Sequence, residues 1–154
     1  MRLDDRYDEL ISDLGGFYRT WLVYLGVDLG FFRALRDAGD GGLPAAELAS
    51  LTATHLRAVE TWVWAAEAHG LVATVNGAVH LDGETAALLL DERRPEYVGG
   101  QFVHSVVATL DWDRMTEFFR TGLPIEVRPD RYRAAIERVT RQDGKCRCSL
   151  ARSE

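Results

Sequence analysis

Lysine is almost missing from this chain: Lys145 stands alone among 18 basic residues, the rest being arginine. Basic side chains of any kind are scarce before residue 93, where six arginines face 15 acidic residues, a net charge of −9. A segment so charged repels phosphate, which argues against nucleic acid or an anionic membrane as a partner. Residues 93–154 reverse the balance, with 12 basic against 9 acidic, and the whole chain carries −6. Cysteine is nearly as rare. Cys146 and Cys148 lie in a polar tail with no nearby histidine and no second pair, so four zinc ligands cannot be assembled and no metal site is expected. Long apolar runs are missing as well: Trp21 to Val27 is seven residues and stops at Asp28, whereas a membrane span needs roughly 20. The opening MRLDDRYDEL is acidic where a secretory signal is basic and then apolar, which predicts a cytoplasmic protein without disulfides.

What is present suits one soluble globular domain: 154 residues, 47% hydrophobic and 27% charged. Phe17, Trp21, Leu25, Leu29, Phe32 and Leu35 recur every three or four positions and predict a helix from Phe17 to Ala38, closed by Gly39-Asp40-Gly41-Gly42. Pro44 opens a short helix in LPAAELASL, with Leu43, Leu48 and Leu51 as its apolar contacts. Thr52-Ala53-Thr54, rich in capping hydroxyls, separates it from a longer helix, His55 to His69, with Leu56, Val59, Val63 and Ala66 on one face and Gly70 as its stop. In LVATVNGAVHL two short β-prone runs flank Asn76-Gly77, the dipeptide of a type I′ hairpin. Helix, short helix, longer helix and hairpin is the order of a winged helix-turn-helix. The predicted fold is therefore mainly α: a three-helix core plus a β-hairpin, with additional N- and C-terminal helices.

Beyond the hairpin, GETAALLLDE reads as a short helix, and Phe102, Val106 and Leu110, with Val103 and Val107 beside them, mark another from about Tyr97. TGLPIEVRP reads as a loop, and Pro129 opens a helix with Tyr132, Ala135, Ile136 and Val139 on one face. The predicted organisation is an N-terminal helical extension (1–16), a winged-helix domain (17–92), a helical substrate-cap and linker segment (93–141) and a disordered tail (142–154).

None of the chemical motifs assembles a catalytic group. Gly39-Asp40-Gly41 would need a glycine where Pro44 stands, and it follows a helix rather than the strand that precedes a nucleotide-cradling loop. His55 and His69, at the two ends of one helix, are roughly 21 Å apart and cannot share a metal. Asp111 and Asp113 point in different directions on any helix, and His104 and Ser105, as helical neighbours, diverge by about 100°. The helix that would read DNA offers Thr54, His55, Arg57, Glu60, Thr61 and Glu67, and the hairpin tip has no Arg or Lys within three positions, so duplex binding is not expected.

Two features point to partners. The helix from Phe17 is apolar nearly all round, since Tyr18, Leu22 and Tyr24 flank its stripe, and a helix of that kind needs cover on several sides. Trp64 shares its side with Arg57, Glu60 and Glu67, where a large ring calls for a contact outside the local core. Phe17, Trp21, Tyr24 and Trp64 are accordingly the expected homodimer contacts.

The segments GFYRTWLVYLGVDLGFFRALRD, AAELASLTATHLRAVETWVWAAEAHGLV and DERRPEYVGGQF, in this order, resemble the N-terminal region of bacterial S-adenosylmethionine-dependent methyltransferases that carry a winged helix before the catalytic domain. The likeness runs from about Phe17 to Arg141 through L-G-x-F-x-x-L, A-A-E-L-A, A-x-G-L-V and Y-V-G-G-Q-F. It implies a region that dimerises and caps the substrate cavity, with S-adenosylmethionine bound by a following domain. In that family the stretch Tyr97 to Leu110 lies over the substrate opening, which makes Gln101, Phe102, His104 and Ser105 the cap candidates, with Gly99-Gly100 permitting a close backbone approach. No D-x-G-x-G loop follows a strand here, so no catalytic or cofactor-binding residue carries over and the chain is expected to be inactive alone. Its end at Glu154, after a change of composition beyond Arg141, suggests a truncated or frameshifted product, or a cloning boundary. The alternative is a winged-helix transcriptional regulator with a small-molecule pocket in the helices after residue 83.

Overall fold

The structure, a computed structural model, describes residues 2–110 and 115–123. They form seven α-helices and a two-stranded antiparallel sheet. Composition suggests one domain; the backbone divides into two compact units, 1–86 and 87–154. The expected helix after Pro129, the loop before it from residue 124 onward and the tail lie outside the described residues; Thr121, expected to open that loop, ends a helix instead.

The first unit opens with α1 (Leu3–Asp28). Asp5 accepts the Arg2 backbone N–H at 2.9 Å, and Asp4 and Asp5 place negative charge at the positive end of the helix dipole. The helix is longer than the Phe17 periodicity predicts at its start and shorter at its end. Gly30, at φ +80°, breaks the expected Phe17–Ala38 helix, and the chain turns into α2 (Phe31–Ala38). Only a residue free of a Cβ takes that conformation without strain. The turn swings Phe31, Phe32 and Leu35 into the core, while Leu29 stays partly exposed. One sequence stripe thus serves two helices.

A 3-10 turn over Gly39–Gly41 leads to α3 (Ala45–Leu51) and α4 (Leu56–Ala68). Between them Ala53 adopts φ +51°. Of the two threonines expected to cap, Thr52 turns back, its hydroxyl donating to the Leu48 carbonyl at 2.7 Å, and the two hydroxyls lie 2.9 Å apart. Neither caps α4, whose N-cap is His55. His55 and His69 take the two ends of this helix, as their spacing predicts.

The hairpin pairs β1 (Ala73–Val75) with β2 (Ala78–His80) in the register Ala73–His80, Thr74–Val79, Val75–Ala78. Asn76 and Gly77 are both at positive φ, 52° and 82°, the type I′ geometry read from the sequence. On the far side of β2, Leu43 and Val79 exchange both backbone hydrogen bonds, at 3.0 and 2.8 Å. Gly42 makes that approach feasible: a Cβ there would be 2.7 Å from the Val79 carbonyl oxygen.

The core of this unit joins α1, α2 and α4. Val23, Phe31, Phe32, Leu35, Val59 and Trp62 are buried, and the Phe31 and Phe32 rings lie 4.8 and 5.5 Å from the Trp62 ring. Trp62 also donates its indole N–H to the Leu22 carbonyl at 3.0 Å, tying α4 to α1. Leu56, expected on the buried face of α4, is partly exposed, and Trp62 takes the core place instead.

A fifth helix, α5 (Gly83–Leu90), crosses the boundary between the units and begins at Asp82, whose carboxylate accepts the Thr85 N–H at 2.8 Å. In the second unit, α6 (Gly99–Thr109) buries Gly99, Gly100, Val103, Val106 and Val107, and α7 (Met115–Thr121) follows. Seven residues with no full apolar stripe gave α7 no periodic signal in the sequence. Among the described residues no helix is long and apolar enough to cross a membrane.

Candidate functional site

The first candidate site, on α6, begins with a packing requirement. Val98 donates to the Leu88 carbonyl at 2.8 Å, and a Cβ on Gly99 would collide with the Leu89 carbonyl oxygen and the Tyr97 ring. Gly99 therefore permits the close backbone approach expected of it. At about 100° per residue, Val103, Val106 and Val107 form the buried face. Gln101 and Ser105 occupy the opposite side and are exposed. Phe102 and His104 are half-buried on the two shoulders between, about 160° apart around the axis. The four cap candidates share a helix but do not converge on one point.

Upstream of α6, Asp91 accepts from the Arg93 backbone N–H at 3.1 Å and from its guanidinium Nε at 3.2 Å. These bonds, with the nearby charges of Arg93 and Arg94, hold its carboxyl below the ordinary 3.8. Asp82 is likewise lowered, first by the Thr85 side chain and then, after an opposing effect of burial, by backbone amides. Both are loop and cap carboxylates in their bonding. Among the described residues no three His, Cys, Asp or Glu side chains group as metal ligands do.

The second candidate site is the outward face of α1. Phe17 is exposed and packs edge-on to Tyr18 with ring centres 5.7 Å apart; Trp21 and Tyr24 are half-buried and make a similar pair at 5.8 Å. The Tyr24 hydroxyl reaches Asp28 at 3.4 Å. Trp64 does not join them. Trp62 turns toward α1, and Trp64, two positions later and thus about 200° round the helix, is 73% exposed on another side of α4.

The sequence reading missed half of the α1 face. Leu3, Tyr7, Leu10, Leu14 and Phe17 are all at least half exposed and follow one another at intervals of four, three, four and three. Ile11 and Tyr18 lie beside them, also exposed. The signal was available in LDDRYDELISDLGGF but was masked by its acidic residues, which fill the positions between. A 3.5-residue apolar repeat is the seam of a helix that packs along another helix.

Comparison with known proteins finds no family model that matches the chain. No curated protein matches its sequence either. Solved structures do match: one of PigF with SAH superposes with a TM-score of 0.60 at 22% identity, covering 78% of this chain. The likeness is one of fold. What the two share is a mainly helical arrangement with a small antiparallel sheet. The chain spans about a third, 34%, of the PigF chain.

Proposed function

We propose that the chain is a winged-helix module that dimerises and caps the substrate cavity of a methyltransferase-type protein. The superposition on PigF carries this reading, because SAH is what S-adenosylmethionine becomes after giving up its methyl group, and the shared fold covers most of this chain but a minority of that one. The order α2, α3, α4 and hairpin, with Leu43 bridging to Val79, supports the winged-helix description. The apolar seam of α1 supports self-association: several large side chains on one helix face are exposed to water, and an interface between two such helices removes them from it. In this reading Phe17, Trp21 and Tyr24 extend that seam, Trp64 contacts a different surface, and the α6 residues Gln101, Phe102, His104 and Ser105 face the substrate of a catalytic domain. S-adenosylmethionine belongs to that domain, and the protein works in the cytoplasm. We assign no catalytic or metal-binding role to this chain, and we do not expect it to grip DNA.

Static light scattering tests the association. The wild type should have the mass of a dimer, and Leu10→Glu, at a position already exposed and so harmless to the monomer fold, should shift it to the monomer. A wild-type monomer at tens of micromolar, or a dimer untouched by Leu10→Glu and by Leu14→Glu, would remove the α1 seam from the proposal. Isothermal titration should show no S-adenosylmethionine binding at micromolar affinity.

A further inference from the structure

We propose that the hollow between α2 and the end of α3 is a binding site for a medium-chain aliphatic carboxylate, with Arg33 holding the carboxylate. The hollow has a volume of about 630 Å³ and lies wholly within the first unit. That volume is in the range of small-molecule sites. Its walls are aliphatic: Leu29, Ala34, Ala38, Leu43 and Leu51 line it and no aromatic ring does. Leu51 is 62% exposed and Leu29 40%, so two leucines flank an apolar hollow that no described residue of the first unit fills. An alkyl chain is the occupant that such walls desolvate best.

The polar side of the hollow selects the charge. Arg33, Asp37 and Thr52 are its polar side chains. Thr52 is occupied by its bonds to the Leu48 carbonyl and the Thr54 hydroxyl. Asp37 is the natural i,i+4 partner for Arg33 on the same helix. It turns instead to Arg36, whose Nε and Nη2 donate to one of its oxygens at 2.9 and 2.8 Å. Arg33 is left with no ion pair or hydrogen bond among the described residues. A guanidinium without a partner beside an apolar wall is matched by a carboxylate, which it can receive through two parallel N–H donors. Gly30, which also lines the hollow, is the N-cap of α2 and has no side chain to cap it, so the first amides of α2 add a favourable potential for an anion at the same end. Residues 1–92 carry −9 overall, so preference for an anion here cannot arise from the global field.

The test is a titration of the full chain with octanoate, octylammonium and octanol, followed by 1H–15N spectra. Octanoate should shift the amides of Gly30, Ala34 and Ala38 saturably, and octylammonium should not. Octanol should bind more weakly than octanoate. Arg33→Gln should weaken octanoate roughly tenfold or more while leaving octanol unchanged. Leu51→Glu, at an exposed position, should abolish octanoate binding without lowering the melting temperature. The proposal is overturned if octanoate shifts none of these amides, if octylammonium or octanol binds as well as octanoate, or if Arg33→Gln binds octanoate like the wild type.

Discussion

Adding one methyl group at Gly26 should destabilise the protein even though it improves the helix around it. Gly26 lies inside α1, where alanine is ordinarily better than glycine by about 1 kcal/mol. At this position, however, a Cβ would fall 2.7 and 2.8 Å from the Cδ2 and Cζ atoms of Phe32. Phe32 is fully buried and its ring is fixed against Trp62, so it cannot swing aside as a surface side chain would. Overpacking of this kind costs about 1–3 kcal/mol, and a clash this close belongs at the upper end, so the net expectation for Gly26→Ala is a loss of about 1–2 kcal/mol. For a chain of this size that is a fall of roughly 3–8 °C in melting temperature. Gly16→Ala is the control. It is in the same helix, nothing lies within 4 Å of its Cβ position, and it is on the side of α1 away from the apolar seam, so it should gain about 1 kcal/mol. Thermal melts of both variants and of Gly26→Ala with Phe32→Leu, which makes room for the added methyl, give opposite signs and a partial rescue. If Gly26→Ala melts at or above the wild type, the tight crossing of α1 and α2 is not what Gly26 provides.

Trp62→Phe should cost about 1–3 kcal/mol in urea unfolding, because it removes the hydrogen bond to Leu22 and leaves part of the indole space empty. Ala53→Gly should stabilise by about 1 kcal/mol, since alanine at φ +51° carries a left-handed penalty that glycine does not; an unchanged urea midpoint would show that the turn relaxes. Asp82→Ala should lose about 1 kcal/mol at neutral pH by uncapping α5. Because the folded state lowers the Asp82 pKa below 3.8, its contribution is present above that value and fades as pH falls through the folded pKa. The gap in stability between wild type and Asp82→Asn should therefore be constant from neutral pH to about 5 and narrow as the pH falls below about 4; a gap that does not narrow on acidification would contradict a charged cap.

The hairpin and the helices from α3 to α6 were legible because their signals are local. Asn76-Gly77 dictates its turn by backbone conformation alone, and Gly70 and Pro44 bound helices for the same reason. The break at Gly30 was not legible, because the apolar spacing of Leu25, Leu29 and Phe32 continues unchanged through it; only packing of Phe32 against Trp62 decides that the chain must turn. Trp62 escaped notice for a related reason: Leu56 fits the expected stripe equally well, and the choice between them depends on α1, more than 30 residues away in sequence. The candidate site followed the same division. Gly99 was recognisable from its type, whereas the arrangement of Phe102 and His104 on opposite shoulders of α6 needed the backbone. The exposed seam from Leu3 to Phe17 is present as spacing, but the acidic residues among it leave residues 1–16 legible only as a helical extension.

The hairpin's short strands have a consequence for how this protein can associate. Thr74 is the β1 residue whose N–H points away from β2, and the carboxylate of Glu67 accepts it at 2.9 Å; on the other side, Leu43 already occupies both outward groups of Val79. The sheet therefore presents no free N–H at Thr74 or Val79 to an incoming strand, and alanine at Glu67, which removes the acceptor, would free the Thr74 N–H. Growth by strand addition, the usual route from an exposed hairpin to fibrils or swapped oligomers, is blocked at Val79 and hindered at Thr74. In the proposed reading, self-association therefore falls to side chains on helices such as the α1 seam.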